Sequence, residues 1–223
     1  MIAVDGPSGV GKSTVSKLVA KELGYQYVDT GAMYRAFAVG VKEAGIDIKS
    51  EEALNAFIDS VKIELTGNGE KVLLNGRDVS KVIREPWAGE LTSKVSAISP
   101  VREFLVSLQR EIGASSEGIV MEGRDIGTVV FPEAEVKIFL TASSEVRAKR
   151  RHKEFLGKET EGVGSVGSVE ADLNARDERD TKRADSPLKA ADDAVIIDTG
   201  ELDIDGVVHK ALDVVRKRKE REG

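Results

Sequence analysis

Short apolar runs alternate with longer segments of helical periodicity along most of this chain. Five runs read as strands: 1–5 (MIAVD), 25–29 (YQYVD), 118–122 (GIVME), 135–141 (EVKIFLT) and 194–198 (AVIID). Each is short, several are apolar throughout, and long connections separate them. Strands covered on both faces read in this way, so the pattern predicts a parallel sheet flanked on both sides by crossover helices. Helical periodicity is expected near 12–23, 32–45, 51–60, 100–113, 143–155, 169–183 and 204–220.

Two segments break the alternation. Residues 61–80 (VKIELTGNGEKVLLNGRDVS) form two alternating runs around Gly67-Asn68-Gly69, which is a hairpin signal. An antiparallel hairpin does not belong to a series of parallel crossovers, so 61–96 is predicted to be a small inserted subdomain. Residues 157–168 (GKETEGVGSVGS) hold glycines at 157, 162, 164 and 167 between basic clusters. That segment fits either a linker or a lid that closes over a bound ligand.

The sequence has 223 residues, a net charge of −6 and no cysteine, which excludes disulfides and thiolate metal sites. The charge balance argues against a broad nucleic-acid surface, so an anionic substrate is to be met by local arginine clusters. No apolar run approaches the roughly 20 residues of a membrane span. With the first strand at the very start of the sequence, no signal peptide is expected and the cytoplasm is the predicted compartment. The two histidines, His152 and His209, lie in charged surroundings and read as surface residues.

The first run leads straight into Gly6-Pro7-Ser8-Gly9-Val10-Gly11-Lys12-Ser13 and then a helical pattern. Strand, glycine-rich turn and helix in this order form a phosphate-cradling loop. Glycines let backbone N–H groups point at phosphate oxygens, and the helix start adds partial positive charge. Lys12 can reach the β- and γ-phosphates, and the Ser13 hydroxyl can ligate Mg²⁺. A capped tight turn is the bland alternative, but motif and flanks agree on a nucleoside triphosphate.

Three further constellations carry charge where it is informative. Val169, Leu173, Arg176, Asp180 and Arg183 fall on one helical stripe that turns from apolar to charged. It is either a cleft wall or a solvated helix held by pairs such as Arg176 with Asp180. The turn Glu122-Gly-Arg-Asp-Ile-Gly127 follows a strand, at the end of the sheet where open parallel folds bind ligands. Arg124 offers a fork for phosphate and Asp125 an acceptor for an amino group, or the two simply pair. Asp29-Thr-Gly-Ala-Met-Tyr-Arg35 opens a helix, where Thr30 fits a cap and Arg35 lies one turn in.

Together IAVDGPSGVGKST at 2–14, VDTGAMYR at 28–35, EGRDIGTVVFP at 122–132, KIFLTASSEVRAKRR at 137–151 and RDERDTKR at 176–183 resemble the bacterial cytidylate kinases. The resemblance implies an α/β P-loop fold with a five-stranded parallel sheet in a three-layer α/β/α arrangement, an inserted antiparallel monophosphate-binding subdomain and a short lid. It divides the single kinase unit 1–223 into a core of 1–29, 97–151 and 171–223, a monophosphate-binding region 30–96 containing the insert 61–96, and a lid at 152–170. ATP falls to residues Gly6 through Ser13 and Thr14, and CMP phosphate to Thr30, Arg35 and Arg124. Cytosine falls to Ser93, Arg102 and Asp125 with Arg183. Tyr34 would line that pocket, and Arg176 and Asp180 would meet the sugar. Thr30 stands where a serine is common, which keeps the hydroxyl.

The implied reaction moves the γ-phosphoryl group of ATP to CMP and dCMP, with Mg²⁺ held by Ser13 and, through water, by Glu122. Lys12, with Arg147, Arg151 and Arg179 as candidates, would neutralise charge on the transferring group, and no general base is needed. A monomer acting on small molecules, with no nucleic-acid or membrane partner, is expected. Kinases of UMP, AMP or shikimate share the loop and fold. A GTPase switch is disfavoured because no Asn-Lys-x-Asp guanine motif occurs in the chain.

Overall fold

The computed structural model describes residues 1–157 and 164–222. In chain order the first elements are β1 (Ile2–Asp5), α1 (Lys12–Leu23), β2 (Gln26–Asp29), α2 (Thr30–Glu43), α3 (Glu51–Ser60), β3 (Ile63–Thr66), β4 (Lys71–Leu74) and β5 (Arg77–Asp78). A 3₁₀ turn at Val82–Arg84 leads into α4 (Pro86–Val95), α5 (Ser99–Ala114) and β6 (Ile119–Gly123). A π turn at Ile126–Val130 precedes β7 (Val136–Thr141), α6 (Ser144–Leu156), α7 (Val166–Thr181), β8 (Val195–Asp198) and α8 (Ile204–Glu222). One sheet has five strands in the order β2-β6-β1-β7-β8, and a second has three in the order β3-β4-β5. The five strands of the larger sheet are the five apolar runs of the sequence.

The chain forms two compact units, one of residues 1–24 and 122–223 and one of residues 25–121. In the first unit β1 pairs in parallel with β7, Ile2 opposite Val136 through Asp5 opposite Phe139. β7 pairs in parallel with β8, Ile138 opposite Val195 through Thr141 opposite Asp198. All four residues of β1 are buried, so the strand offers its C-terminal end, and nothing else, to a ligand. Gly6 follows at once with φ +148°, and a Cβ there would lie 2.2 Å from the Leu140 carbonyl oxygen. Only glycine lets the phosphate loop leave β1 this close to β7. α6 and α7 pack through Ala148, Val169 and Leu173, with Phe155 and Val166 against them.

The second unit is built around α2, which is apolar nearly all round and buried accordingly, from Ala32 through Val41 save Arg35. Phe37 meets Phe57 edge-on, with ring centroids 5.3 Å apart, and Phe104 at 6.2 Å. The predicted hairpin is β3 and β4, antiparallel from Ile63 opposite Leu74 to Thr66 opposite Lys71. Its turn touches β2: Asn68 Oδ1 accepts the Tyr27 N–H at 2.9 Å. A Cβ on Gly69 would lie 2.6 Å from the Tyr27 carbonyl oxygen.

Four details differ from the sequence reading. β5 adds a third strand beside β4, only two residues long and exposed. α4 appears inside the insert, begun by Pro86 at the first helical position, where proline's fixed φ and missing N–H do no harm. α2 begins at Thr30 rather than 32, and its cap is Asp29, whose Oδ1 accepts the Ala32 N–H at 2.9 Å. Thr30 is therefore the first helical residue and not the cap. α7 begins three residues early because Ser165 Oγ caps it through the Ser168 N–H at 3.2 Å. Of the lid expected at 152–170, residues 158–163 lie outside the described residues, while 152–156 finish α6 and 166–170 begin α7.

Candidate active site

The phosphate loop ends in α1, whose N-cap is Gly11 in the left-handed region with φ +97° and no capping side chain. The free N–H groups of the first turn, with the helix dipole behind them, make an anion site. Lys12 is buried, and its Nζ folds back to donate to the carbonyls of Gly6 and Pro7, both at 2.8 Å. Burial pushes the Lys12 ammonium down to about 7; Arg124 and Arg176 push the same way, against Glu122 and Asp5. A phosphate at the loop would reverse this balance, since opposite charge favours the charged amine.

Asp5, the last residue of β1, accepts the N–H groups of Ile126 and Gly127 at 2.9 and 2.8 Å. It thereby pins the Gly-Arg-Asp-Ile-Gly turn beside the phosphate loop. Arg124 within that turn does not pair with Asp125. Its Nε donates to Asp180 Oδ2 at 3.1 Å and its Nη1 to the Gly123 carbonyl at 3.2 Å. Arg183 reaches the other Asp180 oxygen at 3.7 Å. Burial pushes Asp180 up, but Arg124, Arg183 and Arg176 outweigh it and hold the carboxyl below its ordinary value. The stripe on α7 is therefore a charged wall in its second half, while Val169 and Leu173 stay in the apolar cluster. Glu122 and Asp125 are both buried.

The three lid-side arginines differ. Arg147 is buried and tied down, donating to the carbonyls of Ala142 at 3.1 Å and Ser8 at 3.0 Å and ion-paired with Asp177. Arg151 pairs with Glu154 at 3.0 Å and lies over the Phe155 ring, 4.5 Å from its centre. Arg179 is exposed, with its Nε on the Ala175 carbonyl at 3.2 Å.

In the second unit Asp29 stands 3.8 Å from both Arg35 and Arg84, so two cations gather at the start of α2 where Thr30 also lies. Arg102 is buried, donates to the Ser96 carbonyl at 3.4 Å and sits 5.9 Å from the centre of the Tyr34 ring. Ser93 is buried on α4 and its hydroxyl has no hydrogen-bond partner among the described residues.

A family model described as cytidylate kinase matches residues 2–217. A cytidylate kinase of Carboxydothermus hydrogenoformans is 48% identical over 221 residues, spanning 98% of both chains. One from Bacillus cereus is 48% identical over 219 residues, 96% of this chain and 95% of its own. The chain belongs to the cytidylate kinase family. A shikimate kinase from Bacteroides thetaiotaomicron superposes with a TM-score of 0.51 at 16% identity, over 96% of this chain and 97% of its own. That likeness is one of fold alone.

Three residues in this member of the cytidylate kinase family were not singled out from the sequence. Asp177 is not on the charged stripe of its helix, and only the fold brings it to Arg147. Arg84 sits in a 3₁₀ turn that carries no periodic signal. Asp5 could have been found, since a carboxylate directly before a phosphate loop, at the end of a strand buried on both faces, has to be satisfied by backbone donors.

Burial pushes the Asp5 carboxyl up from 3.8 to about 6, with Asp125 adding to it, against the Gly127 and Ile126 N–H groups and Lys12. A folded value above the unfolded one means that this group's contribution is full below pH 3.8 and is lost as pH rises through 6. Relative to Asp5→Asn, the wild type is therefore expected to lose about 3 kcal/mol of unfolding free energy between about pH 3 and 7. Urea unfolding across that range checks it, and a difference independent of pH would contradict the burial argument.

Proposed function

We propose that this protein transfers the γ-phosphoryl group of ATP to CMP and dCMP, giving ADP and CDP or dCDP. The observation that carries the reading is a phosphate loop with its buried lysine in a chain matched by the cytidylate kinase family over residues 2–217. Catalysis of this kind needs positioning and charge neutralisation more than covalent chemistry. Lys12 supplies charge at the donor phosphates, with Arg147, Arg151 and Arg179 as further candidates. Thr30, Arg35 and Arg124 hold the acceptor phosphate. Ser93, Arg102, Asp125 and Arg183 read cytosine, and Tyr34, Arg176 and Asp180 complete the acceptor contacts. The Ser93 hydroxyl, without a partner among the described residues, suits such a role, because a buried hydroxyl is costly unless something satisfies it.

Mg²⁺ fits the donor chemistry at the start of α1. Ser13 presents an exposed hydroxyl there, and Mg²⁺ prefers few protein oxygens together with water and substrate phosphates. Among the described residues no group of three or more His, Cys, Asp or Glu side chains could hold a metal. Ser13, with Glu122 through water, is the proposed holder. Held there, Mg²⁺ would supply positive charge to offset that of the donor phosphates. The protein acts as a cytoplasmic monomer in this reading, and no described helix is long and apolar enough to cross a membrane.

A coupled assay of ADP release tests the proposal with CMP, dCMP, UMP, AMP and shikimate side by side. CMP is expected to stimulate ADP release well above the others except dCMP. Equal or greater stimulation by UMP, AMP or shikimate would reassign the acceptor, and no stimulation by CMP would overturn the reading.

A further inference from the structure

Ser8, on the crest of the phosphate loop, is held through both polar groups of its backbone. Its N–H donates to Asp177 Oδ1 at 3.3 Å, and its carbonyl accepts from Arg147 Nη1 at 3.0 Å. Asp177 and Arg147 are ion-paired with each other, and their side chains are only 17% and 7% exposed. The clamp has one jaw on α6 and one on α7. These helices also pack through Ala148, Val169 and Leu173, and Ser144 Oγ donates to Glu170 Oε1 at 2.6 Å. Arg147 is anchored from behind by the Ala142 carbonyl. The neighbouring Gly9 has φ +77°, a left-handed conformation that favours glycine, and lies in van der Waals range of Arg147.

We propose that Asp177 is a positioning residue for the donor nucleotide, fixing the crest of the phosphate loop through Ser8 and through Arg147. A loop that cradles phosphate works by having its N–H groups aimed before the ligand arrives, since ordering them afterwards costs affinity. Glycines give the loop the conformations it needs but also free it to leave them. The clamp removes that freedom at the one loop residue between Pro7 and Gly9. It does so without opposing the ligand, because the carboxylate and guanidinium neutralise each other instead of presenting bare negative charge to the triphosphate.

The inference rests on the ATP-dependent reading above, so the test begins with ATP binding to the wild type by calorimetry, alongside steady-state kinetics. Absence of ATP binding by the wild type would sink that reading itself. With binding established, Asp177→Ala is expected to weaken ATP affinity and raise KM for ATP by about 10-fold or more, the scale of a charge-assisted hydrogen bond. KM for CMP is expected to stay within about twofold, well below the tenfold that one such bond carries. Asp177→Asn, whose amide oxygen still accepts the Ser8 N–H but no longer pairs with Arg147 as an ion, is expected to fall between the two. A purely structural role would lower the thermal midpoint without splitting the two KM values. Unchanged ATP affinity in the asparagine and alanine variants, or a parallel rise in KM for CMP, would overturn the proposal. If the alanine variant does not fold, the asparagine variant alone decides.

Discussion

Lys12→Ala is expected to lower kcat for CMP phosphorylation by about 10²–10³-fold, the usual scale for removing one preorganised group that stabilises transition-state charge. The amine is placed at the loop by two hydrogen bonds to the carbonyls of Gly6 and Pro7, so it stands ready without being spent on a side-chain counter-ion. Stability is expected to change little, within about 1 kcal/mol, because leaving two neutral carbonyls without their donor is offset by relief of a buried ammonium. Steady-state rates with saturating CMP, and a thermal melt of the same preparation, check both halves. An alanine variant retaining a tenth of wild-type kcat would remove Lys12 from the chemistry.

Asp180→Ala is expected to produce the largest loss of stability of any single change at the site. Its carboxylate accepts from Arg124 at 3.1 Å and pairs with Arg183 at 3.7 Å, and all three side chains are largely shielded from water. Removing this carboxylate breaks both ion pairs in a place largely shielded from water, which costs about 3–5 kcal/mol. The carboxyl is held below its ordinary value, so its contribution is present at neutral pH and disappears as pH falls through the carboxylate range. The stability gap to the wild type should therefore narrow on acidification. Denaturant titrations at neutral and acid pH measure this, and a gap below about 1 kcal/mol at neutral pH would show the triad to be solvent-screened. Asp180→Asn, which keeps an acceptor for Arg124, should recover part of the loss.

The fold was legible where burial shapes composition. Short runs such as 118–122 and 135–141 mark strands covered on both faces, and Gly67-Asn68-Gly69 marks a turn that only such residues make easily. Legibility failed where an element has no face of its own to bury. β5 is two exposed residues, and α4 carries Gly89 and starts at a proline, so neither shows a period. The cap of α2 was misplaced by one residue because aspartate and threonine both occur at caps, and the geometry at Ala32 decides for Asp29.

The site was legible as residue types and not as partnerships. The phosphate loop, the Arg124-Asp125 turn and the charged half of α7 each stand out by spacing. That Arg124 chooses Asp180 over its neighbour Asp125, or that Asp177 reaches Ser8 across 169 residues of sequence, depends on tertiary packing alone. Asp177 lies off the stripe of Val169, Leu173, Arg176 and Asp180, and it is the residue that meets the loop.

The contact of the hairpin turn with Tyr27 has a meaning apart from nucleotides. β2 is the last strand of the five-stranded sheet, and an outermost strand with free amides is a template on which another chain can add and aggregate. Asn68 meets the Tyr27 amide with a side-chain carboxamide, a mimic of the peptide group that a neighbouring strand would have offered. Its φ of 55° is one asparagine tolerates better than most residues. The insert thus covers one amide of that margin, and shortening its turn would expose it even with the phosphate loop left intact.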